Sequence, residues 1–331
     1  MSRNHYPVVI IGSGIAGLSG AIYAARAGND PLIIRGDEPG GQLTLTSEVA
    51  NYPGFPETVG GTELIGKMEE QAEKFGTDFM RGIVESVDDT DRPFEVELSN
   101  NDNLTADAVI SASGASARTL GVLGEDELIG YGVSTCATCD GAFFRGEEMM
   151  IVGGGDAAFE EAVFLTKFAS KVYIVHRREG IRAEDYLEDK VRKKVEEGEI
   201  ELVLNTEVVE IEGSKEEGID EVQLVTNPEG YPTDKLDDEE TEHWSMDVGA
   251  LFIAIGHTPN TSYLENTGVQ LDGTGYAKVQ SGVGQGATET DVEGIFAAGD
   301  VVDHHYQQAA TASGMGVKAA MDADSYLESQ D

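Results

Sequence analysis

The feature that most limits the folds open to this chain is a unit that occurs twice: an apolar strand, a glycine turn, a helix and a second strand, over residues 6–35 and again over 148–177. In the first copy the apolar run 8–11 leads into Gly12-Ser13-Gly14-Ile15-Ala16-Gly17. A helical stretch over 18–27 then stops at Gly28, and Leu32–Ile34 reads as the next strand. In the second copy the run 149–152 leads into Gly153-Gly154-Gly155-Asp156-Ala157-Ala158, a helix to about Phe168 and a strand over Lys171–His176. A strand, a crossover helix and another strand make a parallel pair, and glycines at the first turn let backbone amides at the helix N-terminus approach a pyrophosphate. One such turn serves tight packing as readily as ligand binding. Two of them, each after an apolar strand and before a helix, point to two dinucleotide sites.

The expected fold class is α/β, with two Rossmann-like dinucleotide-binding domains on parallel sheets plus small antiparallel sheets. The latter are expected from alternating runs such as Phe94–Leu98, Ile200–Leu204 and 221–225. At 331 residues the chain exceeds the ~100–200 residues of one ordinary domain, in keeping with two. The polar stretch 227–242 reads as a solvent loop ahead of a strand over 251–255.

The residues after the second strand of each copy separate the two sites. In the second copy His176, Arg177 and Arg178 stand there, with Arg182 close by. Guanidiniums at this place pair with a 2′-phosphate, where an acid would hold a ribose 2′-hydroxyl, so NADPH is favoured over NADH. In the first copy the acid is missing: Arg35 stands near that position, with Asp37 and Glu38 just beyond.

The arginine cluster stands out because bases are scarce. The chain carries 62 acidic against 22 basic residues, a formal charge of −40. That balance argues against nucleic acid or an anionic membrane as a partner. The acids are spread along the chain, denser only at 88–91, 196–201 and 237–242, so they coat a folded surface. Self-repulsion at such density is screened at molar salt, where the Debye length is ~3 Å, and the chain reads as a halophile's enzyme. The N-terminal residues 1–6 are polar and the apolar runs 8–11 and 250–255 are far shorter than a ~18-residue span, so a soluble, cytoplasmic protein is expected.

The two cysteines sit together in Cys136-Ala137-Thr138-Cys139. A pair at this spacing closes a small disulfide ring and exchanges it with another dithiol, one thiolate attacking while the other resolves. A structural zinc site needs a fuller ligand set, and neither a second cysteine pair nor paired histidines at ligand spacing occur; no metal is expected. Asp140 follows at once and reads as a turn acid, a helix cap or a proton donor to a departing thiolate.

Taken in order, these segments resemble the low-molecular-weight thioredoxin reductases of bacteria and archaea over essentially the whole chain. The resemblance is carried by 12–17, Pro39-Gly40-Gly41-Gln42-Leu43, Gly114-Ala115-Ser116-Ala117-Arg118, 136–141, 153–158, 176–178, Gly256-His257-Thr258-Pro259-Asn260 and Ala297-Ala298-Gly299-Asp300. It implies that Gly12, Gly14, Gly17, Gly41, Gln42, Asn51, Asp300, Gln308 and Ala309 hold FAD, and that Gly153, Gly155, Ala158, His176, Arg177, Arg178 and Arg182 hold NADPH. It further implies that Cys139 faces the flavin, Cys136 attacks the partner disulfide and Asp140 donates the proton. The implied domains are an FAD domain from 1–118 and 248–331 and an NADPH domain, carrying the dithiol, from 119–247. The latter is expected to rotate on segments near 117–121 and 246–249. Thioredoxin or a thioredoxin-like protein is the implied partner, a homodimer the implied assembly, and a halophilic archaeon the implied source. Two rivals stand beside this reading: reduction of another acceptor, such as a glutaredoxin-like protein or a peroxidase, and a redox sensor without turnover. The chain departs from the family at Gln307, where an arginine is usual, and at Ser113, which replaces a common threonine.

Overall fold

The computed structural model describes residues 4–46, 48–100, 102–280, 282 and 286–330. The chain folds as two compact units, one from 1–116 and 257–331, the other from 117–256.

In the first unit a seven-stranded sheet runs in the order Asp78–Met80, Leu32–Ile34, His5–Ile11, Asn103–Ser111, Phe94–Leu98, Val84–Asp88, with Ile295–Ala297 also paired to Asn103–Ser111. The hairpin of 84–88 and 94–98 joins it antiparallel, and the other pairings are parallel. Successive side chains of a strand point to opposite faces. Val8 and Ile10 therefore pack with the helices Ile15–Ala27 and Gly61–Lys74, while Val9 and Ile11 pack with Tyr263, Leu264 and Val269 on the other face. The C-terminal helix Ala309–Gln330 crosses Ile15–Ala27 through glycines. A Cβ on Gly20 would lie 3.2 Å from the Gly316 carbonyl oxygen, and one on Gly316 3.1 Å from Ala16 Cα.

In the second unit five parallel strands follow the order Ile200–Leu204, Lys171–His176, Glu148–Val152, Ala250–Ile253, Val133–Ser134. Thr206–Ser214, Gly218–Thr226 and Glu242–Met246 form a separate antiparallel sheet. The fold is thus α/β with two Rossmann-like parallel sheets and smaller antiparallel parts.

Three expectations need correction. Ile200–Leu204 is not antiparallel: it returns through the helix Asp185–Glu196 to pair in parallel with Lys171–His176. The helix after the second glycine turn ends at Leu165, and 166–168 continue as a turn. The second boundary between units falls at 256/257, because Ala250–Ile253 pairs with Glu148–Val152 inside the second unit's sheet.

Candidate active site

In the first unit the glycines do three different jobs. Gly12 adopts φ +109° and its missing Cβ would lie 2.9 Å from Ser113 Cα, so strand His5–Ile11 can turn only with glycine there. Gly17 packs its face on the Gly12 backbone, where a Cβ would come within 3.0 Å of the carbonyl carbon. Gly14 is different: as the N-cap of Ile15–Ala27 it makes no side-chain cap bond, and a Cβ there would meet nothing within 4 Å. That helix start thus has no side-chain cap and open room beside its N-cap, as an anion site requires. Gly41, at φ +66°, opens the 3₁₀ turn Gly41–Leu45 that carries Gln42, and its Cβ would lie 3.5 Å from Gly14 Cα. The preceding Gly40 amide donates to Ser13 Oγ at 3.0 Å, tying this loop to the glycine turn.

From the far end of the sequence, Gly299 brings Asp300 to the same helix start: a Cβ on Gly299 would lie 2.8 Å from that of Ala16. Asp300 Oδ1 is buried without a hydrogen-bond partner among the described residues. Burial, and second the charge of Asp303, push its pKa up to about 6. Asn51 Nδ2 donates to Gln308 Oε1 at 3.3 Å, and Ala309 begins the C-terminal helix beside them. Arg35 does not replace the missing acid; its guanidinium pairs with Glu69 at 3.5 Å and lies 4.2 Å above the Phe79 ring.

The second unit repeats the arrangement. A Cβ on Gly153 would sit 2.7 Å from that of Ala158, so these two positions fit each other. Gly155, the N-cap of Asp156–Leu165, makes no side-chain cap bond and its Cβ would meet nothing within 4 Å. The His176 ring lies against Gly154, and the Arg182 amide donates to the Gly154 carbonyl at 2.8 Å, so strand end and arginine segment both close on the turn. Arg178 Nη1 donates to Tyr231 Oη at 3.3 Å, and the Arg177 guanidinium stands 5.1 Å from that ring. Burial first, and the three guanidiniums after it, hold the His176 pKa below its usual range, against a raising bond to Gly180. The cluster's charge at neutral pH is therefore the arginines'.

Cys136 and Cys139 form a disulfide, with Cα atoms 5.3 Å apart, across the short helix Ala137–Asp140. The Ser134 hydroxyl organises its start: the Cys136 amide donates to Ser134 Oγ at 3.0 Å, and that hydroxyl donates to Asp140 Oδ2 at 2.6 Å. Asp140 Oδ1 is buried without a partner among the described residues, and burial raises the Asp140 pKa against the opposing Ser134 bond. A second acid lies behind the turn. Glu161, on Asp156–Leu165, sets its carboxyl beside the Ala137 amide, while its Oε2 is buried without a partner among the described residues.

The glycine turn with Gly41 and Asp300, the arginine-flanked turn and the dithiol turn are each built within a single unit, and Asn51 pairs with Gln308 in the first unit. Ser134 and Glu161 were missed. Glu161 had a readable signal, since it falls three residues after Ala158 and four before Leu165, on the buried stripe of its helix. Among the described residues, no group of three or more His, Cys, Asp or Glu is placed to hold a metal, and no helix is long and apolar enough to cross a membrane.

Comparison with known proteins agrees with this geometry. The pyridine nucleotide-disulphide oxidoreductase family matches residues 6–316. The thioredoxin reductase of Escherichia coli O157:H7 is 45% identical over 327 residues, covering 99% of this chain and 98% of its own. A Pseudomonas fluorescens protein named glucosaminate ammonia-lyase is also 45% identical, over 324 residues, 98% of this chain and 96% of its own. The solved thioredoxin reductase from Giardia duodenalis overlays with a TM-score of 0.86 at 38% identity, covering 99% of this chain and 100% of its own. With matches that run the length of both units, the chain belongs to the pyridine nucleotide-disulphide oxidoreductases, in the branch of the thioredoxin reductases.

Proposed function

We propose that this chain is an NADPH-dependent thioredoxin-disulfide reductase that works through FAD and its own Cys136–Cys139 disulfide. The observation that carries the reading is the disulfide itself, formed beside a buried acid in the unit that also holds the arginine-flanked glycine turn. The ammonia-lyase name of one relative asks for cleavage of a carbon–nitrogen bond, which needs no exchangeable disulfide. Three features fit the cofactors: an uncapped helix start in each unit, the unpartnered buried oxygen of Asp300 as acceptor for a ligand hydroxyl, and the arginine cluster for a 2′-phosphate. Gly12, Gly14, Gly17, Gly41, Gln42, Asn51, Asp300, Gln308 and Ala309 would hold FAD in the unit of 1–116 and 257–331. Gly153, Gly155, Ala158, His176, Arg177, Arg178 and Arg182 would hold NADPH in the unit of 117–256.

When bound, FAD supplies the means of accepting a hydride from NADPH and passing its electron pair to a disulfide. The protein's part is exchange and proton control. Two electrons open the Cys136–Cys139 bond, and Asp140, whose proton affinity burial raises, protonates the departing sulfur. Cys136, as thiolate, attacks the partner disulfide; one partner sulfur leaves with a proton and a mixed disulfide forms. Cys139 then displaces the second partner sulfur and the 136–139 disulfide is restored. The balance is NADPH, one proton and a disulfide converted to NADP⁺ and a dithiol. A cytoplasmic homodimer adapted to high salt, as in a halophilic archaeon, completes the proposal, supported by the acid-rich composition.

Anaerobic titration of the flavin-loaded protein with NADPH tests this reading. The visible flavin band should bleach, and Cys136 and Cys139 should become open to alkylation. A protein that binds no flavin, or whose disulfide survives NADPH, would refute it. Turnover with thioredoxin, glutaredoxin-like and peroxidase acceptors chooses among partners, and no turnover with any of them would favour the sensor.

A further inference from the structure

Opening a disulfide with two electrons leaves two sulfurs to protonate, and Asp140 covers only one of them. At the dithiol turn the structure places a second buried carboxyl. The helix Asp156–Leu165 presents Glu161 on the same stripe as the buried Ala158, Ala162 and Leu165. Its carboxyl lies beside the amide of Ala137, the fully buried residue that follows Cys136 and packs on Ala158, Ala162 and Leu165 of the same helix. Its Oε2, shielded from solvent, has no partner among the described residues.

We propose that Glu161 is a positioning residue of the dithiol site, its carboxyl set beside the Ala137 amide behind the turn so that its protonation sets the acidity of the Cys136 and Cys139 thiols. A carboxylate behind the turn opposes a thiolate on it, since like charges in a poorly solvated site disfavour one another. Glu161 therefore takes up a proton as a thiolate forms and releases it when that thiolate is consumed in disulfide exchange. Asp140 thus protonates one sulfur, and the proton that Glu161 takes from solvent offsets the charge on the other, which stays a thiolate until exchange consumes it.

The neighbouring groups favour this role. Burial pushes the Glu161 pKa up to about 7, with the Ala137 bond opposing and the Glu160 charge adding to the rise. On the turn itself the titratable neighbour is Asp140, raised in the same sense. The helix Asp185–Glu196 and the segment before it engage other acids: Tyr186 Oη donates to Glu160 at 3.5 Å and the Glu184 amide to Asp156 at 2.8 Å. The residues of Glu148–Val152 and Ala250–Ile253 that pack on this helix's core, Met149, Ile151, Ala250 and Phe252, are apolar.

The proposal takes its purpose from the reductase reading, yet its test does not depend on it. The flavin-loaded protein is reduced with dithiothreitol, with neither NADPH nor thioredoxin present, and iodoacetamide labelling of Cys136 and Cys139 is followed by mass spectrometry from pH 5 to 9. Glu161→Gln keeps an acceptor for the Ala137 amide but cannot titrate. It should lower the apparent thiol pKa by about half a unit to one unit and raise labelling at neutral pH roughly three- to tenfold. Glu160→Gln, on the same helix but exposed, should follow the parent profile. A Glu161→Gln profile that superimposes on the parent overturns the proposal, and so does an effect seen in Glu161→Ala but not in Glu161→Gln, which would mean packing alone. Should Glu161→Gln not fold, infrared difference spectra of the parent and of Asp140→Asn decide. A protonated-carboxyl band gained on reduction in both supports the proposal; its absence from both, or its loss in Asp140→Asn, overturns it.

Discussion

Arg177, Arg178 and Arg182 stand out because bases are scarce in this chain, while Glu161, one acid among 62, is marked only by its place on the buried stripe of its helix. What the sequence could not show is that of two adjacent acids one, Glu160, coats the surface and the next, Glu161, backs the dithiol. Replacing both Arg177 and Arg178 by Ala should remove charge-assisted bonds to a 2′-phosphate, roughly 1.5–3 kcal/mol or tenfold to a hundredfold in kcat/KM for NADPH. Kinetics with NADH, which lacks that phosphate, should change little. An equal loss with both nucleotides would show that the arginines do not read the phosphate. The cysteine roles came from resemblance alone, and spectra of the single variants separate them. Cys136→Ser should leave a Cys139 thiolate that perturbs the oxidised flavin spectrum, whereas Cys139→Ser should not. The reverse pattern would exchange the two roles.

At the scale of elements, the strands Leu32–Ile34, Lys171–His176 and Phe94–Leu98 have the limits their hydrophobic pattern predicts. The sheet that Ile200–Leu204 joins was not legible, because alternation along a strand records which faces are buried and says nothing of which neighbour it pairs with. The glycine turns were legible as a pattern, but only the backbone separates glycines that fold from glycines that bind. Gly153, at φ +156° and packed on Ala158, should not tolerate Ala: Gly153→Ala should destabilise the second unit by about 2 kcal/mol or more. Gly155 has an extended backbone and open surroundings, so Gly155→Ala should melt within a few degrees of the parent. The added methyl stands before the helix amides, and the KM for NADPH should rise about tenfold or more. Thermal melts and NADPH titrations of the two variants check this contrast, and equal stability of both would refute the division of labour.

For the whole molecule, the dithiol and the arginine-flanked turn share the unit 117–256, whereas Asp300 and the first glycine turn belong to the other. If hydride donor and disulfide use the same face of one flavin, they must take turns, and the unit 117–256 must rotate as a body between two positions. The local backbone bears on where such a pivot would lie. Segment 120–122 is clamped, its three amides donating to the buried Glu125 carboxylate at 2.9, 2.7 and 3.4 Å, and a Cβ on Gly249 would lie 2.6 Å from that of Glu147. Gly114 and Gly256, with φ +70° and +100° and nothing near their missing Cβ atoms, stand beside the 116/117 and 256/257 crossings, their carbonyls accepting from the Asn260 and Arg118 amides at 3.0 Å each, and we propose them as the pivots. A covalent crosslink between the units should therefore permit one half-reaction and abolish sustained turnover, and a crosslinked enzyme that cycles normally would end the rotation account. The central claim, that electrons from NADPH reach a partner only through Cys136 and Cys139, is tested most directly by counting thiols. In an anaerobic assay with thioredoxin at high salt, each NADPH oxidised should yield two partner thiols, and the yield should vanish in Cys136→Ser and in Cys139→Ser; NADPH oxidation without partner thiols, or undiminished thiol yield from either variant, would contradict it.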